Sequence, residues 1–282
     1  MRTWFITGAS RGFGALIAAR VLEQGDAVVA TARNSQAVVD RIGDHPNLLP
    51  VALDVTDEAQ AHAATRAGIE RFGRIDILVN NAGYGLLGAV EEATAQEIEA
   101  IYRTNVFGLL GVTRAVLPHM RRQRSGRILN ISSIGGYAGF PGWGVYGSTK
   151  FAVEGLSESM AIELAPLGIH VTAVEPGFFR TDFLDESSLV VSRSVIADYA
   201  ETSGAMRDFA GTANHSQPGD PAKLARVLVA FADAPNPPVR LPLGSDTVAK
   251  IEAEDAATAA MLAEWRAVAV STDFNTPASV AA

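Results

Sequence analysis

Short apolar segments alternate with longer stretches of helical periodicity from the start of the chain to about Glu175. The run Ile75-Asp76-Ile77-Leu78-Val79 is nearly continuous in its apolar character, which is typical of a strand that helices cover on both faces. This alternation predicts βαβ units arranged around a parallel sheet. The predicted strands are Trp4 to Thr7, Ala27 to Ala32, Leu48 to Leu53, Ile75 to Asn80, Arg127 to Ile131, His170 to Glu175 and Val239 to Leu243.

The pattern changes after Pro176, where residues 182–217 show only weak periodicity and no clear elements. A segment of this length inside a compact fold is usually a lid, a binding loop or disordered. Asp220-Pro221 then offers a helix N-cap followed by proline in the first turn, which predicts that a helix begins there. The other predicted helices are Phe13 to Gln24, Asp57 to Phe72, two between Thr94 and Arg122, Tyr146 to Leu164, and Ser245 to Trp265.

Composition narrows the classes of function. The formal net charge of -8 repels polyanions, so neither nucleic acid nor an anionic membrane is expected as a partner. The absence of cysteine excludes disulfides and thiolate chemistry, and the five histidines lack the spacing of metal ligands, so no metal is expected. There is no long apolar run and no sign of a signal peptide, which predicts a cytoplasmic protein.

A glycine-rich segment, Thr7-Gly8-Ala9-Ser10-Arg11-Gly12-Phe13-Gly14, lies between the first predicted strand and the first predicted helix. Glycines allow the backbone to approach a pyrophosphate, and the N-terminus of a helix presents free N–H groups to it. A plain tight turn is the alternative interpretation. The context favours a dinucleotide site, with these expected contacts: Gly8, Ser10, Arg11, Gly12, Phe13 and Gly14.

The TGxxxGxG spacing resembles the short-chain dehydrogenase/reductase family, and three further stretches match that family in the same order. These are Asn80-Asn81-Ala82-Gly83, Tyr146-Gly147-Ser148-Thr149-Lys150 and Pro176-Gly177. The resemblance implies an NADP-preferring oxidoreductase, similar to carbonyl reductases and hydroxysteroid dehydrogenases, that interconverts a carbonyl and an alcohol. It also implies a homodimer or homotetramer, built around the helices that follow Asn105 and Tyr146.

The resemblance implies a single Rossmann-like, doubly wound α/β domain over residues 1–282, with about seven parallel strands and helices on both faces. Residues 1–181 would form the cofactor-binding and catalytic core, and residues 182–217 the substrate lid. Residues 218–282 would form a C-terminal helix-strand-helix extension.

The same resemblance assigns four catalytic residues. Tyr146 would donate the proton, Ser133 would orient the substrate carbonyl, and Lys150 and Asn105 would complete the group. Tyr146 and Lys150 are four residues apart in a predicted helix, so they share a face. A nearby ammonium favours the phenolate, and we therefore expect Lys150 to lower the pKa of Tyr146.

The residue at the end of the second strand indicates which cofactor is used. An acidic residue there binds the ribose of NAD, whereas an arginine accommodates the 2'-phosphate of NADP. This chain has Arg33 and no carboxylate at that point, with Arg11 as a second candidate, so NADP(H) is expected. Asp54-Val55 resembles the family's adenine-contacting pair, although Asp54 is also a candidate helix cap. The remaining expected cofactor contacts are Asn81, Ala82, Gly83, Tyr146, Lys150, Pro176, Gly177 and Thr181.

Aromatic residues dominate the expected substrate pocket, and they favour an apolar or aromatic ketone. Three alternatives remain at this point, of which a structural interaction module would give no reason for the pairing of Tyr146 and Lys150. A catalytically silent NADP(H)-binding sensor could use the same fold, although such proteins usually lose the tyrosine or the lysine. An epimerase of the family's extended branch would carry a different glycine spacing. The expected pocket residues are Tyr137, Phe140, Trp143, Phe178, Phe179 and the apolar members of residues 182–210.

Overall fold

The computed structural model describes residues 1–274, so the last eight residues of the predicted extension lie outside it. Seven strands form one sheet in the order β3-β2-β1-β4-β6-β7-β9. Every neighbouring pair is parallel. The strands are β1 (Thr3–Thr7), β2 (Ala27–Ala32), β3 (Leu48–Ala52), β4 (Ile77–Asn80), β6 (Gly126–Ile131), β7 (Ile169–Pro176) and β9 (Arg240–Leu243). Two further strands, β5 (Gly85–Leu87) and β8 (Leu189–Val191), pair in a separate small sheet.

Helices cover both faces of the seven-stranded sheet, because strand residues alternate between two buried clusters. Trp4 and Ile6 of β1 pack in one cluster with helices α1 and α8. Phe5, which lies between them, packs in the other with α3, α5 and α6. The helices are α1 (Gly12–Glu23), α2 (Gln36–Ile42), α3 (Glu58–Phe72), α4 (Ala95–Tyr102), α5 (Leu109–Gln123), α6 (Gly144–Leu164), α7 (Ala205–Ala213), α8 (Pro221–Phe231) and α9 (Ser245–Val270).

This arrangement confirms the predicted Rossmann-like, doubly wound α/β fold. The chain runs outward from β1 through β2 to β3, then returns to place β4 on the other side of β1. In open parallel sheets, ligands bind outside the carboxyl ends of the strands at such a reversal of order. A ligand site is therefore expected at the carboxyl ends of β1 and β4.

The prediction that residues 182–217 lack clear elements was wrong. The segment contains β8 and α7, and short single-turn helices at Asp182–Leu184 and Ala197–Tyr199. Strands β5 and β8 have three residues each and pair across about a hundred residues of sequence, so periodicity could not detect them. Helix α2 was also missed, since it is only seven residues long and its N-cap Ser35 makes no side-chain hydrogen bond.

Helix α9 extends five residues beyond the predicted end at Trp265. Its first turn packs near the end of β7, where the Asp246 carboxylate accepts a hydrogen bond from the backbone N–H of Phe178 at 2.7 Å. The later turns of α9 are exposed. Within residues 1–274, no helix combines the length and the apolar character that crossing a bilayer requires.

Candidate active site

A cavity of about 360 Å³ opens at the carboxyl ends of β1, β4, β6 and β7. It therefore lies at the reversal of strand order. Of the residues predicted to bind a cofactor or to act in catalysis, those that line the cavity are Gly8, Ser10, Arg11, Gly12, Phe13, Arg33, Asp54, Val55, Asn81, Ala82, Gly83, Ser133, Tyr146, Lys150, Pro176, Gly177 and Thr181. The two others, Gly14 and Asn105, lie directly behind this lining.

The glycine loop forms a backbone cradle at one end of the cavity. Gly8 has φ +65°, a conformation that favours glycine, and a Cβ on Gly14 would lie 2.4 Å from the carbonyl oxygen of Gly8. Helix α1 begins here, and its N-cap Arg11 makes no side-chain capping hydrogen bond. The first N–H groups of α1 are thus left for another acceptor. A dinucleotide pyrophosphate fits this donor set.

Asn81 joins the glycine loop to the end of β4. Its Nδ2 donates to the carbonyl oxygens of Thr7 at 2.9 Å and Gly8 at 3.1 Å. The Thr7 hydroxyl accepts in turn from the backbone N–H groups of Asn81 and Ala82 at 2.9 and 3.0 Å. These four hydrogen bonds hold the two strand ends together and keep the backbone of the Asn81-Ala82-Gly83 segment on the cavity wall.

The two candidate arginines have different surroundings. Arg33 is exposed at the end of β2 and, within residues 1–274, forms no ion pair, so its guanidinium is available to a ligand. Arg11 instead donates to the carbonyl oxygen of Ser187 in the 182–217 segment. The suggestion that Asp54 caps a helix was wrong: Asp57 caps α3, and the Asp54 carboxylate accepts from Thr56.

Tyr146 lies near the start of α6, 7% exposed, with its ring between Trp143 and Phe183 at centroid distances of 5.5 and 5.6 Å. Burial raises the pKa of Tyr146 to about 12, and a hydrogen bond from the Ser133 hydroxyl opposes that rise. Any lowering by Lys150 therefore does not outweigh burial in the protein alone. Loss of hydration of the phenolate is the larger effect, because the ring is enclosed by apolar side chains.

Lys150 lies one turn further along α6, and its Nζ is 5.7 Å from the centre of the Tyr146 ring. The ammonium donates to the carbonyl oxygen of Ile131 at 2.8 Å, at the end of β6. Burial lowers the pKa of Lys150 to about 8, and the negative charge of Glu154 opposes this shift. Lys150 therefore lies on the cavity wall, and its pKa is only slightly above neutral pH.

Asn105 lies in a π-helical turn, Arg103–Gly108, between α4 and α5. Such wide turns are frequent at functional sites. The side chain is 2% exposed, its Oδ1 accepts from the N–H of Tyr84 at 3.1 Å, and its Nδ2 donates to Thr149 at 3.2 Å. A Cβ on Gly83 would be 3.1 Å from this Oδ1 and 3.8 Å from the Nζ of Lys150. Asn105 and Lys150 therefore both border Gly83.

The end of the cavity beside Tyr146 is apolar. Phe140, Trp143, Phe178 and Phe179 line the cavity as predicted, and the 182–210 segment contributes Phe183 and Leu184. Trp143 and Phe183 pack against Tyr146, whereas Phe179 packs against Phe13 of the glycine loop. Tyr137 does not line it, contrary to prediction. Its hydroxyl donates to Asp255 of α9 and the guanidinium of Arg240 lies over its ring, so it faces the neighbouring layer. Gln217 also lines the cavity and was missed, since no motif marks it.

Comparison with known proteins decides the family. The family model described as short chain dehydrogenase matches residues 2–189. This chain belongs to the short-chain dehydrogenase/reductase family. Oxidoreductase BOA17 of Botryotinia fuckeliana (strain B05.10) is 41% identical to this chain over 250 residues, which are 88% of this chain and 90% of that protein. A 3-ketodihydrosphingosine reductase of Bacteroides thetaiotaomicron is 38% identical, over 85% of this chain and 86% of that one.

Solved structures agree. A short-chain dehydrogenase from Streptomyces avermitilis has a TM-score of 0.90 to this oxidoreductase at 41% identity, covering 97% of this chain and 99% of the other. The structure described as ElxO with NADP bound has a TM-score of 0.72 at 29% identity, covering 88% of this chain and 99% of the other. These likenesses agree with an oxidoreductase of the family.

A buried ion pair joins the 182–217 segment of this short-chain dehydrogenase to the body, and sequence reasoning did not find it. Glu92 follows β5, and its carboxylate accepts from Arg207 of α7 at 2.7 Å. It also accepts from the backbone N–H groups of Ala89 at 2.7 Å and Ile196 at 2.9 Å. The hydrogen bond from Arg207 is the main cause that lowers the pKa of Glu92 to about 2.

Glu92→Gln is expected to loosen this segment. Because the pKa of Glu92 is lowered from its ordinary value of 4.5, its carboxylate stabilises the fold fully when the pH is above 4.5. This contribution to stability is lost as the pH falls toward 2. At neutral pH the variant should lose about 2 kcal/mol of unfolding free energy and should be cleaved faster within residues 182–217 under limited proteolysis. The control is Glu99→Gln, which breaks only the exposed pair with Arg103. Equal cleavage of the two variants would contradict the assignment.

Asp182, Asp185 and His215 place possible metal-ligand atoms within 4.8 Å of one another at the cavity mouth. Sequence spacing could not show this grouping. The Asp185 carboxylate is paired with His215 at 3.2 Å and accepts from Asn214. These contacts link Asp185 to residues at the other end of the 182–217 segment.

Proposed function

We propose that this protein is an NADP(H)-dependent reductase that converts an apolar or aromatic ketone to an alcohol, or runs that reaction in reverse. The observation that carries the proposal is that one cavity holds both the glycine cradle and the hydroxyl of Tyr146, with Ser133 and Lys150 beside it. A binding module would need only the cradle. The second group of residues gives the same cavity a proton donor.

The chain's own groups supply the acid half of the reaction. A reduced nicotinamide cofactor, held by the glycine cradle and Arg33, would supply a hydride for the carbonyl carbon. Tyr146 donates its hydroxyl proton to the carbonyl oxygen, and Ser133 hydrogen-bonds and orients that oxygen. With a pKa of about 12, Tyr146 remains protonated at neutral pH, which suits donation in the reductive direction. The Lys150 ammonium stabilises the negative charge that then develops on the phenol oxygen.

Arg33→Ala is expected to weaken NADPH binding about tenfold or more, while the affinity for NADH changes less than about twofold. The reason is that charge-assisted hydrogen bonds to a 2'-phosphate, each contributing about 1.5 to 3 kcal/mol, would be lost only for NADPH. Fluorescence titration of both cofactors measures this directly. Arg41→Ala is the matched control, since Arg41 is exposed on α2 and outside the cavity. Equal losses for NADPH and NADH would overturn the choice of NADP.

The cavity lining supports the proposed substrate class. Trp143 and Phe183 are nearly parallel, with ring centres 6.2 Å apart, and Phe140 and Leu184 extend this apolar surface. A sugar would leave its hydroxyl groups without partners there. The name of one relative, a 3-ketodihydrosphingosine reductase, also describes a keto substrate, which supports a ketone as the substrate here. A panel of alkyl, aryl and steroid ketones and β-keto esters, assayed by NADPH consumption, should show the highest kcat/KM for apolar members.

A catalytically silent NADP(H)-binding sensor is the second candidate. It would bind NADPH tightly and turn over none of the panel. The presence of both Tyr146 and Lys150 favours the enzyme, because binding a cofactor does not require a buried lysine beside a buried phenol.

We propose further that residues 1–181 form the cofactor-binding and catalytic core of one domain, that residues 182–217 act as its substrate lid, and that residues 218–282 form a C-terminal extension. Cytoplasmic location and a homodimer or homotetramer remain predictions.

A further inference from the structure

Two buried carboxylates lie behind the catalytic face of α6. Glu154 is one helical turn after Lys150, and Glu175 is the residue of β7 just before Pro176. Their exposures are 2% and 1%. The Nε of Arg240 on β9 lies 3.6 Å from an oxygen of Glu154 and 4.0 Å from an oxygen of Glu175, so both carboxylates converge on one guanidinium.

The pair is not satisfied if both groups are ionised. Taken as two carboxylates, the four oxygens have no hydrogen-bond donor among the described residues other than the Ser132 hydroxyl beside Glu154. A proton on Glu175 removes part of this deficit, because Glu175 then donates a hydrogen bond to Glu154. Buried acceptors without donors are costly, so the structure favours one proton shared by the two groups.

The surrounding charges lead to the same conclusion. Arg240 is the cation that faces the pair from β9, and its Nη2 is already bound to Glu158 of α6 at 2.8 Å. From the segment after β6, the Tyr137 ring lies under the guanidinium and its hydroxyl is neutral. Burial, followed by repulsion from Glu154, raises the pKa of Glu175 to about 7, and burial also raises the pKa of Glu154.

The charge on this pair acts on Lys150. Glu154 is the group whose negative charge opposes the lowering of the Lys150 pKa by burial. The Ser132 hydroxyl hydrogen-bonds Glu154. In the sequence, Ser132 is preceded by Ile131, whose carbonyl oxygen accepts a hydrogen bond from the Lys150 ammonium, and is followed by Ser133. Glu154 is thus linked to the catalytic residues through Lys150. Glu175 is linked to the cavity wall through the backbone, because Pro176 follows it.

We propose that Glu154 and Glu175 are positioning residues that share one proton, and that the single negative charge they retain, located on Glu154, keeps Lys150 protonated during turnover. The catalytic role of this charge rests on the proposed reductase function. The charge state of Lys150 itself is a property of the protein without any ligand, and it can be measured separately.

The test is an NMR titration of the cofactor-free protein labelled with ¹³C-lysine. The chain has only three lysines, Lys150, Lys223 and Lys250, and the Lys150 signal is identified by its loss in Lys150→Met. We expect Glu154→Gln to reduce the proton affinity of Lys150 about tenfold. Glu175→Gln should leave that affinity within about twofold of the unmodified protein, because Glu154 and not Glu175 is the charge that acts on Lys150. Glu163→Gln, an exposed carboxylate on the same helix, is the control.

A purely structural pair would lower the melting temperature of both variants and leave the Lys150 titration unchanged, and that result would overturn the proposal. So would equal shifts in Glu154→Gln and Glu175→Gln. An infrared spectrum of the unmodified protein at pH 6 is independent of any variant's folding: a protonated buried carboxyl band that Glu175→Gln removes supports the shared proton, and its absence contradicts it. The upper pH limit of kcat should fall in Glu154→Gln only. Absence of turnover in every form would count against the proposed function alone.

Discussion

Tyr146→Phe is expected to lower kcat about a thousandfold, within the range of about 10² to 10⁴ that a positioned general acid contributes. Phenylalanine retains the ring that packs between Trp143 and Phe183 and removes only the hydroxyl. The affinity for NADPH should stay within about threefold, because the glycine cradle is untouched. Steady-state kinetics on the best ketone of the panel, together with a cofactor titration, measures both quantities.

The control is Tyr102→Phe. The Tyr102 hydroxyl hydrogen-bonds Ser148 at 2.9 Å, next to the catalytic segment of α6 but outside the cavity lining. It should retain turnover within about threefold, since an exchange of one neutral hydrogen bond costs about 1 kcal/mol or less. If Tyr146→Phe kept comparable turnover, another group would have to donate the proton.

Gly14→Ala is expected to reduce NADPH affinity about 30-fold or more, since overpacking by one methyl group costs about 2 kcal/mol. The added Cβ would meet the carbonyl oxygen of Gly8 at 2.4 Å and the Nδ2 of Asn81 at 2.7 Å. Neither is the end of a flexible chain, because Asn81 is fixed by its bonds to the backbone of Thr7 and Gly8. The loop must therefore move away from the position that receives the pyrophosphate.

Gly155→Ala provides the matched comparison. Gly155 lies in α6 with nothing within 4 Å of the position of a Cβ. Alanine should leave NADPH affinity unchanged and raise stability slightly, by up to about 1 kcal/mol, because alanine has the higher helix propensity. Isothermal titration and thermal unfolding of both variants separate a loss of the cradle from general destabilisation. Equal NADPH affinity in the two variants would refute the close approach at Gly14.

The sheet and the cofactor end of the site were predictable because they depend on local sequence. The strands Ala27–Ala32 and Thr3–Thr7 read as continuous apolar runs and were placed within one residue of their ends. The glycine loop was recognised by its position between a strand and a helix. Tyr146 and Lys150 were paired by their spacing of four residues, and the structure places both on the cavity wall.

What could not be predicted depends on contacts between distant residues. Glu92 and Arg207 are 115 residues apart, and neither lies in a motif. The shared burial of Glu154 and Glu175 follows from the packing of α6 against β7. The pKa of Tyr146 depends on how completely Trp143 and Phe183 enclose its ring, which spacing along a helix does not reveal. Tyr137 was misplaced because its direction is decided by Asp255 of α9.

The most direct test of the reductase assignment is to follow deuterium from NADPH that carries deuterium in place of both hydrogens on the reactive carbon of its nicotinamide. We expect an apolar ketone of the panel to be converted to an alcohol carrying one deuterium on the carbinol carbon, and we expect Tyr146→Phe to slow this conversion about a thousandfold while still binding the cofactor. Tight NADPH binding by the unmodified protein without transfer to any ketone would contradict the reductase assignment and support the sensor.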